Sequence, residues 1–220
     1  MPPKPLKKDP RKRILDVAEK VFANQGFERA SIRFIATGAG VNLPTIYYYF
    51  DSKQGLIQAV LDRRLKPLGQ EHLDLLRRFN EDAGGRPLPL EKILEAMLLP
   101  PLRIAASGAA AHAVVMRLIG RIMSETDPEM QALLVGRHQV IKKTFLAEFA
   151  RTLPDLPLPI LQWRCIFAWG VLGSIMLGCR QIGKETAGVC NPLDTPEALA
   201  QTIHFLASGF RAPAVAQPVS

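Results

Sequence analysis

The stretch from Ser31 to Lys53, SIRFIATGAGVNLPTIYYYFDSK, decides how the chain begins to fold. Ser31 is a good N-cap, Ile32, Ile35 and Ala36 follow on the inward side of a short helix, and Gly40 stops it. Asn42 starts another, with Pro44 in its first turn, where the missing N–H would have lacked a helical partner anyway. This helix runs only to about Phe50. Two short helices joined by Ala39-Gly40-Val41 form a helix-turn-helix, in which the glycine supplies the turn and Ala36, Ala39 and Val41 let the pair approach. Gly38 inside the first of them costs ~1 kcal/mol against alanine. Ile46 and Phe50 turn inward at i and i+4, which leaves Thr45, Tyr47, Tyr48 and Tyr49 spread over the outer surface. Tyrosine hydroxyls can bond phosphate oxygens while the rings contact sugar or thymine methyl groups. Lys53 adds a charge beside the free N–H groups that open the next helix.

Working outward, Ile14, Ala18, Val21 and Phe22 predict a preceding helix from Arg11 to about Asn24, ending near Gly26. After the motif, Ser52 caps a longer helix with Leu56, Ile57, Val60, Leu61 and Leu65. A turn-rich connector covers Glu81 to Pro89, and Pro100-Pro101 is expected to break the next helical stretch. Further helices are expected at about 102–107, 109–124, 128–153, 158–180 and 196–210. No alternating strand pattern lies between the turn signals, so the chain reads as all-α. The division expected is a basic arm over 1–12, a helix-turn-helix domain over 13–58, a larger helical bundle over 59–212 and a tail over 213–220.

Composition narrows the functional class. Of 220 residues, 48% are apolar and 22% charged, enough to build a core and unlike a disordered or fibrous chain. The uncharged apolar run Cys165 to Cys179 is interrupted by three glycines and falls short of the ~20 residues of a membrane span. Asp16, Glu19 and Lys20 follow the basic start where a signal peptide would be apolar, so a cytoplasmic protein is expected, with no membrane partner. Cys165, Cys179 and Cys190 lack metal-site or disulfide spacing, and the four histidines are scattered; no metal and no cofactor are expected. No G-x-S-x-G, Walker or G-x-G-x-x-G motif is present, which argues against an enzyme.

The net charge of +8 is concentrated at the start: residues 1–13 hold six basic side chains against Asp9. Residues 14–53 balance. A Pro-rich basic arm is drawn to polyanions through counterion release, and Lys7, Lys8 and Arg11 are its candidate DNA contacts; a solvated tail has the same composition.

Residues 13–60 resemble the DNA-binding region of the TetR family of bacterial transcriptional regulators. The resemblance is carried by Arg13-Ile14-Leu15, Phe22, Gly26-Phe27, Ser31-Ile32-Arg33, Ile35-Ala36, Ala39-Gly40-Val41, Thr45 to Phe50, Ser52-Lys53 and Leu56, in the family's order and spacing. It implies that Arg33 enters the major groove and that Asn42, Leu43, Thr45, Tyr47, Tyr48, Tyr49 and Lys53 occupy DNA-contacting positions. Arg33 is the base-reading candidate, since arginine can bond guanine O6 and N7 together; the alternative is a surface ion pair with Glu28. One of Tyr48 and Tyr49 can instead pack on the following helix. Leu43 stands where some members place a polar base reader, which shifts weight to apolar contact and DNA shape.

The same resemblance implies a homodimer whose C-terminal helices form the subunit contact and a ligand pocket. From Leu158 to Cys179 nearly every face is apolar, as in a helix covered on all sides. Leu134, His138, Ile141, Phe145 and Phe149 on the helix before it, with Trp169, Leu172, Ile175 and Met176, are the expected dimer residues. Arg103, Met116, Arg117, Ile119, Ile122, Met123, Trp163 and Phe167 are the candidate pocket lining, and plain core or surface is the alternative for each. Met116 to Gly120 and Gln162-Trp163-Arg164 are weakly similar to the fatty-acid-responsive branch of the family, which implies a hydrophobic effector such as a fatty acid or acyl-CoA. The function expected is a repressor of a palindromic operator on double-stranded DNA. The competing readings are a nonspecific architectural DNA-binder without effector and an enzyme using the helical pocket.

Overall fold

A computed structural model describes residues 9–107, 110–123, 125, 126, 128, 132 and 138–214, without the side chains of 110–112, 123, 138, 179 and 180. Among these the secondary structure is helical: α1 Pro10–Gln25, α2 Ile32–Ala39, α3 Leu43–Phe50, α4 Lys53–Asp82, α5 Leu90–Ala106, α6 Ala110–Met123, α7 His138–Thr152, α8 Leu158–Glu185 and α9 Thr195–Arg211. The all-α expectation holds. Contacts divide the chain into two compact units, one formed by Met1–Pro67 with Ala113–Leu133, the other by Leu68–His112 with Leu134–Ser220.

In the first unit the expected caps are in place. Ser31 Oγ accepts the Phe34 N–H at 3.3 Å and Asn42 Oδ1 accepts the Thr45 N–H at 3.0 Å. Gly40 ends α2 in the left-handed region, φ 62° and ψ 44°, which glycine enters without a Cβ penalty. Gly38 has a packing reason that offsets its helix cost: a Cβ there would sit 3.0 Å from Val17 Cγ1 of α1. Ser52 caps α4, its Oγ accepting the Gly55 N–H at 3.0 Å, and a Cβ on Gly55 would collide with the Phe50 carbonyl. The core is Ile14, Phe22, Phe27, Ile35, Ile46, Leu56, Ile57 and Val60. Glu19 of α1 is buried among them, held by Arg64 through two bonds of 2.6 Å, while Arg63 pairs with Asp16 at 2.5 Å. These bonds tie α1 to α4, and donating to the Glu19 carboxylate raises the Arg64 pKa.

The second unit corrects one expectation. Pro100 and Pro101 do not break the chain's helical path: α5 runs through both, and both are buried. Proline at 100 cannot donate to the carbonyl four residues back, that of Ala96. The His72 ring of α4 supplies the donor instead, with Nδ1 3.0 Å from Ala96 O. A carbonyl only accepts, so Nδ1 carries the hydrogen. His72 in turn meets Phe145 and Trp169 edge-on at ring separations of 5.9 and 6.2 Å. Phe149 stacks on Phe210 of α9 at 4.6 Å, continuing this aromatic core. Arg164 of α8 closes the end of α9, donating to Phe210 O at 2.5 Å and Ala212 O at 2.6 Å. These carbonyls are among the last of a helix, which have no helical donor of their own.

Helix α8 is longer than the expected 158–180. Its stretch Leu158–Gly178 is long and apolar enough, by length and composition, to cross a membrane, at a mean hydropathy of 1.5. The 15-residue uncharged run understated it, because Arg164 lies inside the stretch with its guanidinium turned onto the end of α9. Leu161, Ala168, Leu172 and Met176 of the same helix are buried in the second unit.

Two described thiols of this unit differ in exposure. Cys165 is half-buried in α8 and desolvation pushes its thiol up to about 12, whereas Cys190 is exposed in the turn after α8. At pH 8 only roughly one Cys165 in 10⁴ would be thiolate. Iodoacetamide should therefore label Cys190 and leave Cys165 unmodified, read by peptide mass spectrometry; equal labelling of the two would contradict the burial.

Candidate nucleic-acid interface

The outward side of α2 and α3 is the complement of their buried residues. Ile35, Ala36 and Ala39 of α2 and Ile46 and Phe50 of α3 face the core, so Arg33, Thr37, Tyr47 and Tyr48 are left at the surface. Tyr48 is 82% exposed, and its ring meets Tyr49 edge-on at 5.1 Å. Tyr49 is the tyrosine that leans inward: it is half-buried beside Phe50, in a groove shared with Leu15, Gln58 and Ala59. Arg33 is exposed, and among the described residues it has no ion pair, so the Glu28 alternative is not formed.

The polar residues of α3 shape the helix as well as its surface. Asn42 Oδ1 also receives the Thr45 hydroxyl, which fixes both side chains at the helix start. Leu43 is half-buried. Lys53 is half-buried too, and its Nζ donates to the Glu28 carbonyl at 2.6 Å, which ties the start of α4 to the turn between α1 and α2. Burial pushes the Lys53 ammonium below its usual range, with the Glu28 charge opposing. Two N–H donors of the ammonium are left for a phosphate. Arg11 is exposed, its guanidinium 5.6 Å above the Phe50 ring. Lys7 and Lys8 lie outside the described residues.

Sequence reading missed two features here. The Glu19 clamp lay hidden because its partners are some 45 residues away in the chain. Phe34, beside Arg33, is 58% exposed although it is a large apolar residue in an ordered helix.

The expected pocket and dimer residues are distributed differently from the expectation. Met116 is buried, Ile119 and Ile122 are half-buried and Arg117 is exposed in the first unit; the Met123 side chain lies outside the described residues. Arg103, in the second unit, is exposed and pairs with Glu71 at 3.3 Å. Trp163 and Phe167 stack on each other at 5.7 Å on the outward side of α8, at the surface of the chain instead of inside a cavity. Phe145 and Phe149 are fully buried in the chain's own aromatic core, and Leu172 and Met176 are buried too, so a partner subunit cannot reach them without repacking. Ile141 is half-buried against Gly69 of α4, where a Cβ would sit 2.7 Å from its Cδ1. Trp169 and Ile175 are half-buried; Leu134 and the His138 side chain lie outside the described residues. The uncovered apolar stripe is Trp163, Ile166, Phe167 and Leu177, with Gly170 and Ser174 between them, and Phe205 is exposed on α9.

A capped helix-turn-helix with an aromatic and cationic outer face, in an all-helical chain, defines a DNA-binding transcriptional regulator. Residues 14–60 match the family described as bacterial regulatory proteins of the tetR type, and residues 95–209 match the Tetracyclin repressor-like C-terminal domain. The chain belongs to the TetR family. It is similar to the HTH-type transcriptional repressor KstR of Rhodococcus jostii, 29% identical over 142 residues, 59% of this chain and 67% of that one. It is also similar to the HTH-type transcriptional regulator UidR of Escherichia coli, 28% identical over 143 residues, 64% of each chain. The match thus spans about two thirds of these relatives. Among solved structures, the fatty acid degradation regulator FadR from Bacillus halodurans shares the fold at a TM-score of 0.61 and 16% identity, covering 94% of this chain and 99% of that one. FadR from Bacillus subtilis in complex with stearoyl-CoA does so at 0.56 and 16%, covering 90% and 98%.

Proposed function

We propose that this regulator is a homodimeric, ligand-responsive repressor that binds a palindromic operator and leaves it when a small hydrophobic effector is bound. The observation that carries the reading is the outer surface of α2 and α3, where Arg33, Tyr47 and Tyr48 are exposed. Arg33 reads a base, Tyr47, Tyr48 and Lys53 hold the backbone, and Asn42, Leu43 and Thr45 set the start of the reading helix. Residues 1–12 add an electrostatic arm to a reader over 13–58, with residues 59–212 serving dimerisation and the effector. The protein acts in the cytoplasm, where its DNA is.

The subunit contact is assigned to the open stripe of α8 with Phe205 of α9, in place of α7. A dimer presents two reading helices to successive major grooves, about 34–36 Å apart or a multiple. For the effector, a fatty acid or acyl-CoA is supported by the Met116–Gly120 and Gln162–Arg164 resemblance and by the shared fold with the FadR proteins. An effector that favours the released state ~100-fold shifts the equilibrium by ~2.7 kcal/mol.

The test is selection of bound genomic fragments by the purified protein, followed by titration of the operator complex with acyl-CoAs of increasing chain length. One inverted repeat released by long-chain acyl-CoA and not by free CoA is the expected result. Equal affinity for all duplexes would favour the architectural reading. In the same assay Arg33→Ala should relax base preference at one position per half-site, by ~1–3 kcal/mol, while Lys53→Ala should weaken all duplexes alike and reduce the salt slope by about one.

A further inference from the structure

Phe34 stands in the first turn of α2, where Ser31 Oγ holds its backbone N–H, and its ring is 58% exposed. A phenylalanine in this place is not explained by the packing of α2, whose buried side is made by Ile35, Ala36 and Ala39. Its surroundings indicate what covers it. Arg33 adjoins it and Thr37 lies one turn on, both exposed; Arg29 is exposed in the preceding turn. Tyr47 and Tyr48 are exposed on α3 of the same helix-turn-helix. An apolar ring set in a cationic, hydroxyl-bearing surface suits a polyanion that carries small apolar groups. Duplex DNA is such a partner: phosphates line its grooves, and the thymine methyl projects into the major groove.

We infer that Phe34 is a specificity-determining contact, packing its ring against the 5-methyl group of one thymine per half-site, close to the base that Arg33 reads. The inference rests on the DNA-reading assignment made above.

Deoxyuridine differs from thymidine by that methyl alone, which makes it the probe. The operator recovered by fragment selection is remade with each thymine in turn replaced by uracil, symmetrically in both half-sites, and affinity is measured for the full-length protein and for Phe34→Ala and Phe34→Leu. One position should cost the parent about fourfold per half-site, the value for one buried methyl at ~0.8 kcal/mol. Phe34→Ala should bind the thymine operator more weakly and show no further loss with uracil there, while Phe34→Leu keeps part of the uracil sensitivity. Because the ring is exposed, all three proteins should melt alike, and the melting curve checks this. A parent that binds its operator without uracil sensitivity, or a sensitivity that survives in Phe34→Ala, overturns the contact and leaves the regulator reading standing. Weaker binding by Phe34→Ala without uracil sensitivity in the parent places the ring on sugar or protein and overturns it too. A parent that binds no duplex overturns both readings together.

Discussion

Replacing Trp163 with glutamate should give a folded chain that sediments as a monomer and loses operator affinity by on the order of 10²- to 10⁴-fold. Trp163 is 60% exposed in the single chain, so the change removes little from its core. Around it, Ile166, Phe167 and Leu177 continue the uncovered stripe, and Gly170 and Ser174 let another backbone approach. The opposite side of α8 is already occupied by the chain's own packing through Leu161, Ala168, Leu172 and Met176. A two-fold contact brings the same patch of both subunits together, so one substitution places two carboxylates in one interface. Each then has to be desolvated beside a like charge, which no local rearrangement of the stripe relieves. Without the dimer, the second half-site is no longer reached intramolecularly, and the full loss of linkage appears in affinity for the palindrome. Affinity for an isolated half-site should be much less affected. Val189→Glu is the control, because Val189 is more exposed than Trp163 but lies in the turn after α8. Sedimentation velocity and fluorescence anisotropy read both effects; a Trp163→Glu protein that stays dimeric would move the contact elsewhere.

What could be read in advance follows the range of the interactions. The ends of α2 and α3 were legible because Ser31, Gly40 and Asn42 act on N–H and carbonyl groups within a few residues of themselves. Tyr47 and Tyr48 were legible for a similar reason: once Ile46 and Phe50 are assigned inward, helical geometry leaves outer positions of α3 to them, whereas Arg33 on α2 was singled out by the family resemblance. The course of α5 was not, since Pro100 is a helix breaker by local rules, and the histidine that serves the carbonyl it cannot reach comes from another helix. Lys53 shows both sides: its position at the start of α4 was readable, and its bond to the Glu28 carbonyl was not. For α8, hydrophobicity all round indicated a helix covered on all sides. Which residues meet the chain's own core and which stay open is decided by packing against other helices, and on that point Phe145 and Phe149 turned inward while Trp163 and Phe167 turned out.

The bond between His72 and Ala96 should be separable from the rest of the core by a double-mutant cycle. His72→Phe keeps an aromatic ring against Phe145 and Trp169 but removes the Nδ1 donor, and Ala96 O then faces Pro100, which has no N–H. A buried carbonyl left without its partner costs ~1–3 kcal/mol, and other contacts of the imidazole add to the measured loss. Pro100→Ala alone should be much milder, because alanine restores a backbone N–H to a carbonyl that His72 already serves. Combined with His72→Phe, the same Pro100→Ala supplies the missing donor from within α5, so the double variant should recover about 1 kcal/mol or more relative to the sum of the two single changes. Conformational entropy that alanine gains in the unfolded chain enters with and without His72, and therefore cancels from the coupling. Urea denaturation of the four proteins gives the coupling directly. Strict additivity would mean that His72 contributes through ring packing alone, and that α5 tolerates its paired prolines for some reason other than the donated hydrogen bond.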